Sequence, residues 1–187
     1  VAVLGFSRVG IDWRTQARPG RPGTADGFAL ADTDLAIAAA ARAADIVVVS
    51  VHMGSELRAC PTARDRDFVE RSFAAGASII VGHHPHVLQG IELQDGKLVA
   101  YSLGNLVFDA HGHHARTTGI LVVTASADGR VLEYAWEPAR IVGDIPIALD
   151  GAPRLAALAE LAALGPQGTR CTGWRGDADR IAQRTAR

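Results

Sequence analysis

The chain has 187 residues, of which 48% are hydrophobic and 21% charged, with a formal net charge of −1. That length suits one domain with a sizeable core and is short for two, and the composition is that of a folded globular protein. The balanced charge gives no reason to expect nucleic acid or an anionic membrane surface as partner, and no run approaches the roughly 20 apolar residues that span a bilayer.

Val1 to Phe6 is a short apolar run that reads as a buried strand. The chain opens inside that run without an initiator Met, as an internal piece of a longer protein would. Residues 7 to 30 are rich in Arg, Gly and Pro and read as a long loop. Four arginines there could meet a phosphate or polyanion, although solvated loop arginines are commoner. Asp32 or Asp34 is expected to cap an alanine-rich helix running to about Ala44.

Ile46 to Val51 is a continuous β-branched run, the pattern of a strand covered on both faces. A polar loop with Pro61 follows, then an amphipathic helix from about Asp65 to Ala75, with Gly76 at the C-cap position. Ser78 to Val81 reads as the next buried strand. This βαβ order makes the two strands parallel, so His52 and Gly82-His83 fall at equivalent carboxyl ends, where open α/β sheets collect their ligands. Farther on, Asp95-Gly96 and Asp128-Gly129 each sit between strand-like runs and predict two hairpins. Pro153 to Leu164 reads as an amphipathic helix, and 165–187 as a polar tail. Cys60 and Cys171, the only cysteines, are either free thiols or one bridge.

All seven histidines lie between His52 and His114. Imidazole binds zinc, manganese, iron, copper and nickel, so clustered histidines at strand ends suggest a metal. In His84-Pro85-His86 the proline pushes His84 towards an extended backbone, in which residues i and i+2 share a side about 6.6 Å apart. His84 and His86 are therefore expected to converge on one metal or on two spaced about 3.5–4 Å, while His83 points away. His52 approaches the same edge as a further ligand. Glu56 lies four residues on, past Gly54, and is a ligand, a proton-transfer group, an orienter of an imidazole, or a plain surface carboxylate. Gly104-Asn105 interrupts an apolar stretch, so Asn105 and Asp109 either bind metal or substrate or cap a turn. His111, His113 and His114 fall in a polar loop that favours simple exposure.

The stretches VVVSVHMGSE, AGASIIVGHHPHVLQGIE, GKLVAYSLGNLVFD and TTGILVVTASADGRV together resemble the carboxyl-terminal half of the CapA-type proteins. The resemblance runs from about Val1 to Leu164. It implies an α/β fold, a calcineurin-like metallophosphoesterase sandwich of mixed sheets flanked by helices and present here only in part, with a role in poly-γ-glutamate capsule synthesis. It also implies His52, His84 and His86 as metal ligands, with Glu56, His83 and Asn105 near the substrate. Divalent ions (Mn, Zn or Fe), two in the intact protein, would be the cofactors. An envelope polymer or a phosphate-containing small molecule, and membrane-associated capsule synthesis proteins, would be the partners, in or outside the cell envelope. Met53 departs from the Trp usual after the first of these histidines, which would alter a cleft wall. The Asp-bearing strand and the acidic and Asn-His motifs with which the family begins are absent, so the resemblance implies an amino-terminally truncated piece holding half of a catalytic site. A non-catalytic assembly or export component that keeps the fold is the alternative reading.

Overall fold

The computed structural model describes residues 1–166 and Cys171. Strands β1 (Ala2–Ser7), β2 (Val47–His52), β3 (Ile79–His83), β4 (Ile91–Gln94) and β5 (Lys97–Ala100) form one sheet in the order β1-β2-β3-β5-β4. The first three and β5 are parallel, and β4 runs antiparallel at the edge. Strands β6 (Thr117–Ala125), β7 (Val131–Val142) and β8 (Ile145–Ala148) make a second, antiparallel sheet.

Two cores explain the layering. Val47, Val49 and Val51 of β2, with Ile80 and Val99, face helices α1 (Leu30–Ala43) and α2 (Ala63–Ala75) through Ile37, Phe68 and Val69. The alternate residues Ile46, Val48, Ile79, Leu98 and Ala100 pack towards Val131 and Trp136 of the second sheet and Ala157, Leu161 and Leu164 of α4 (Gly151–Leu164). A strand apolar on both faces must be covered twice, here by helices on one side and by a sheet and α4 on the other. This is the mixed α/β arrangement of part of a metallophosphoesterase-like fold.

Local chemistry sets most boundaries. Thr62 accepts from the backbone N–H of Asp65 while Asp65 accepts from that of Thr62, a capping box that starts α2 two residues before the expected Asp65. Gly76 ends it with φ 112°. Helix α1 corrects the expected cap: Ala29 precedes it with no side-chain cap, Asp32 lies in the first turn, and Asp34 pairs with Arg71 of α2. The Asp95-Gly96 hairpin has φ 53° and 78°, as a turn with two left-handed residues requires. A third hairpin, β7 to β8 through Gly143-Asp144 (φ 54° and 67°), carries a Gly-Asp turn signal that the sequence reading passed over.

The loop before α1 is irregular as expected, and its arginines are occupied within the chain. Arg8 donates to the Gly27 carbonyl and lies over Phe68 at 4.9 Å, while Arg21 donates to the Gln16 carbonyl at 2.9 Å. Cys60 and Cys171 form a disulfide, with Cα atoms 5.7 Å apart. The expected polar tail lies, apart from 165, 166 and Cys171, outside the described residues.

Candidate metal centre at the strand edge

Register builds the site. Ser7, His52 and His83 are partners across β1, β2 and β3, so the two imidazoles leave the sheet side by side. Their Nδ1 atoms are 2.9 Å apart, one donating and one accepting, and the His83 Nε2 lies 3.4 Å from the Ser50 hydroxyl. His83 therefore does not point away from the cluster, as the alternation argument had it. Register partners on neighbouring strands share a face, and that decides its direction.

Beyond His83 the chain leaves the strand. His84 has φ 111° and His86 φ 58°, so Pro85 does not hold His84 extended. The two rings still converge, with centroids 6.0 Å apart, because a sharp turn brings them together. The His84 ring also sits 4.7 Å from that of His52. Two glycines allow this crowding. A Cβ on Gly82 would lie 2.2 Å from the Tyr101 carbonyl oxygen, and one on Gly54, whose φ is 101°, would lie 3.0 Å from Pro85.

The loop after β2 is fastened to the same turn. The Met53 N–H donates to the His83 carbonyl at 2.9 Å, and that of Leu57 to the Pro85 carbonyl at 2.8 Å. These bonds carry the exposed Glu56 alongside, and Glu56, His84 and His86 offer ligand atoms all within 4.8 Å of one another. Met53 itself is 1% exposed and belongs to the helix-side core, so it forms no cleft wall.

Asn105 is buried, and its amide is fully committed. Its Oδ1 accepts from His86 Nδ1 at 2.6 Å, and its Nδ2 donates to the His86 carbonyl at 3.2 Å and the Ala115 carbonyl at 3.0 Å. That leaves the His86 Nε2 as the nitrogen with a free lone pair. Phe108, which the sequence reading passed over, lays its ring 4.9 Å from that of His86. Asp109 lies with His111, 3.3 Å away and exposed, and His113 and His114 meet Glu160 instead.

Electrostatics favour neutral rings at His52 and His83. Burial lowers the pKa of His52 below its ordinary 6.5, helped by His83, His84 and His86, and burial with His84 lowers that of His83. A neutral imidazole is the form that donates a lone pair to a metal. Two imidazole nitrogens and one carboxylate oxygen, from His84, His86 and Glu56, within 4.8 Å of one another suit a borderline divalent ion.

Residues 1–110 match the family model described as bacterial capsule synthesis protein PGA_cap. The PGA biosynthesis protein CapA of Bacillus subtilis (strain 168) is 46% identical over 85 residues, 46% of this chain and 22% of that protein. The capsule biosynthesis protein CapA of Bacillus anthracis is 48% identical over 66 residues, 35% of this chain and 16% of that protein. A probable polyglutamine synthesis accessory protein of Mycobacterium tuberculosis is 31% identical over 107 residues, 54% of this chain and 28% of its own length. Each alignment spans less than a third of the relative's length. The family match takes in the whole strand edge from Ser7 to Asn105 and more than half of the chain, which belongs to the bacterial capsule synthesis protein family PGA_cap.

Proposed function

We propose that this chain carries a metal-dependent phosphoester-type site of a CapA-like protein serving poly-γ-glutamate capsule synthesis. The observation that carries the reading is the convergence of His84, His86 and Glu56, with the His52 ring against that of His84, at the carboxyl edge of a parallel sheet. In this reading His52, His84 and His86 hold divalent ions of the manganese, zinc or iron class, two of them in a longer protein, with Glu56 as a further oxygen donor or proton carrier. Bound ions of this class draw charge from a phosphate-like group and acidify water. Asn105 holds His86 with its Nε2 outward, and His83 orients His52 through their shared hydrogen bond.

The names of the relatives, biosynthesis proteins of PGA and of capsule, support an envelope polymer as the partner, and in this reading membrane-associated capsule synthesis proteins are further partners. The Cys60–Cys171 bridge supports an oxidising compartment such as the cell envelope. No helix among the described residues is long and apolar enough to cross a membrane.

One carboxylate in the converging group is few for two metals, and this favours a second reading, a non-catalytic assembly or export component that uses the fold for polymer or partner binding. Calorimetric titration with Zn²⁺ or Mn²⁺ and a p-nitrophenyl phosphate assay separate the two. A weakly bound equivalent of metal that His84→Ala removes is expected at the strand edge of this chain, with turnover appearing only in a longer protein that adds carboxylates. Uptake indifferent to His84→Ala and His86→Ala would remove the metal site. A longer protein that binds metal without any turnover would leave the assembly role.

A further inference from the structure

A second group of metal-type donors lies outside the strand edge and shares no residue with it. His113 and His114 form the first half of α3 (His113–Arg116), a single helical turn before β6, and Glu160 projects from α4. The Glu160 Oε1 lies 2.8 Å from His114 Nδ1, and its Oε2 lies 3.5 Å from His113 Nε2. The ligand atoms of the three residues all fall within 4.8 Å of one another. The carboxylate is largely withdrawn from water, with a side-chain exposure of 17%, and among the described residues its partners are these two imidazoles.

We propose that His113, His114 and Glu160 form a binding site for a zinc-class divalent cation that ties α3 to α4. Two nitrogens and one carboxylate oxygen are a common three-ligand set for zinc, with water completing the tetrahedron on the exposed side. As the rings lie here, His114 Nδ1 and His113 Nε2 turn their N–H groups to the carboxylate, and a cation would replace both protons at that point. His114 can accommodate this by moving its proton to the solvent-facing Nε2. His113 meets an obstacle, because Arg140 of β7 donates to its Nδ1 at 2.9 Å and so keeps the proton on Nε2. A His113 that gives its Nε2 lone pair to a metal carries its proton on Nδ1 and can no longer accept from Arg140. Arg140 thus opposes loading both by charge and by tautomer. The inference does not rest on the strand-edge reading. It has a bearing on that edge all the same, because the Ala115 carbonyl on the same turn holds the Asn105 amide that orients His86.

The test uses the full chain carrying His84→Ala and His86→Ala, which removes the strand-edge ligands, titrated with Zn²⁺ by calorimetry and with Co²⁺ by its visible absorption. The expected result is uptake of a single equivalent, a tetrahedral cobalt spectrum and a rise in melting temperature with added Zn²⁺. Glu160→Gln and His114→Ala, each made in that background, should weaken binding roughly tenfold or more, since even indirect supports of a metal ligand are worth about that factor. Arg140→Gln, which removes the charge and can accept from Nδ1–H, should tighten it. The His114 ring is exposed and Glu160→Gln keeps the size and shape of the side chain, so these two substitutions leave the core intact. No uptake in the His84→Ala/His86→Ala chain, or uptake unchanged by Glu160→Gln and His114→Ala, would overturn the site. Affinity unimproved by Arg140→Gln would overturn His113 as a ligand. The same titration of the unsubstituted chain, showing a second equivalent that His114→Ala or Glu160→Gln weakens and His84→Ala does not, supports the site independently of how the double variant folds.

Discussion

At the scale of single residues, Asn105 is the group on which the strand edge turns. Its buried amide satisfies His86 Nδ1 and two carbonyls, so Asn105→Ala strands all three and should cost about 1–3 kcal/mol of stability. Asn105→Asp keeps an acceptor for His86 but gives up both donors. It should lose stability like the alanine variant while retaining more metal affinity, a split that a denaturant melt and a calorimetric titration read separately. The paired His52 and His83 make stability depend on pH. Both have pKa values lowered from 6.5, by burial first, so just below that pH the unfolded chain holds more protons than the folded one. Their contribution is whole above pH 6.5 and declines as pH falls through the lowered folded values. Denaturant midpoints taken between about pH 7.5 and 5 should fall with acid, and less steeply in His52→Asn and His83→Asn. Equal slopes in all three proteins would show that the pair does not titrate with folding.

At the scale of elements, β3 and the segment following β5 approach too closely for any side chain between them. Gly82→Ala would set a Cβ 2.2 Å from the Tyr101 carbonyl, a backbone atom that cannot swing aside. Strain of this kind costs about 1–3 kcal/mol or more, and here it also displaces the turn that carries His84 and His86. The variant should melt early and bind metal poorly. A melt matching the parent would mean that the turn relaxes freely. The two helices under the sheet differ in a way composition alone hides. α2 has a reciprocal cap, and Thr62→Ala should cost about 1 kcal/mol by denaturant melt. α1 starts from Ala29 with no such bond and depends on packing through Ile37.

At the scale of the molecule, the disulfide closes the chain across a separation of 111 residues, from the loop after β2 to Cys171. Chain-entropy arguments put such a closure at up to about 4.7 kcal/mol. Reduction, or Cys60→Ser, should therefore lower the melting temperature clearly, and an unchanged melt would show that the bridge constrains little in the unfolded chain. The sheet also has an open side. Among the described residues β2 is the one strand that pairs with β1, beside a bridge from Ser7 to Asp26, and Val1 and Val3 are 81% and 71% exposed. Unpaired edges with apolar residues invite association. Light scattering should show concentration-dependent self-association, reduced by Val3→Lys. A monomer at every concentration would show that the edge protects itself.

Local pattern was enough for much of this protein. The β-branched run at residues 46–51, the Gly76 cap, both Asp-Gly turns and the βαβ order that brings His52 and His83 to one edge are legible in the sequence, since each depends on neighbours a few residues away. The CapA resemblance was legible for the same reason, because its motifs are short and contiguous. Only tertiary structure decided what depends on distant partners. Register between β2 and β3 turned His83 towards His52, against alternation carried past the end of a strand. Positive φ at His84 and His86, stabilised by contacts with the loop carrying Glu56, converged the rings by a turn where an extended backbone was expected. The Cys60–Cys171 pair and the meeting of His113 and His114 with Glu160 join residues 111 and some 46 positions apart, and no spacing rule reaches that far.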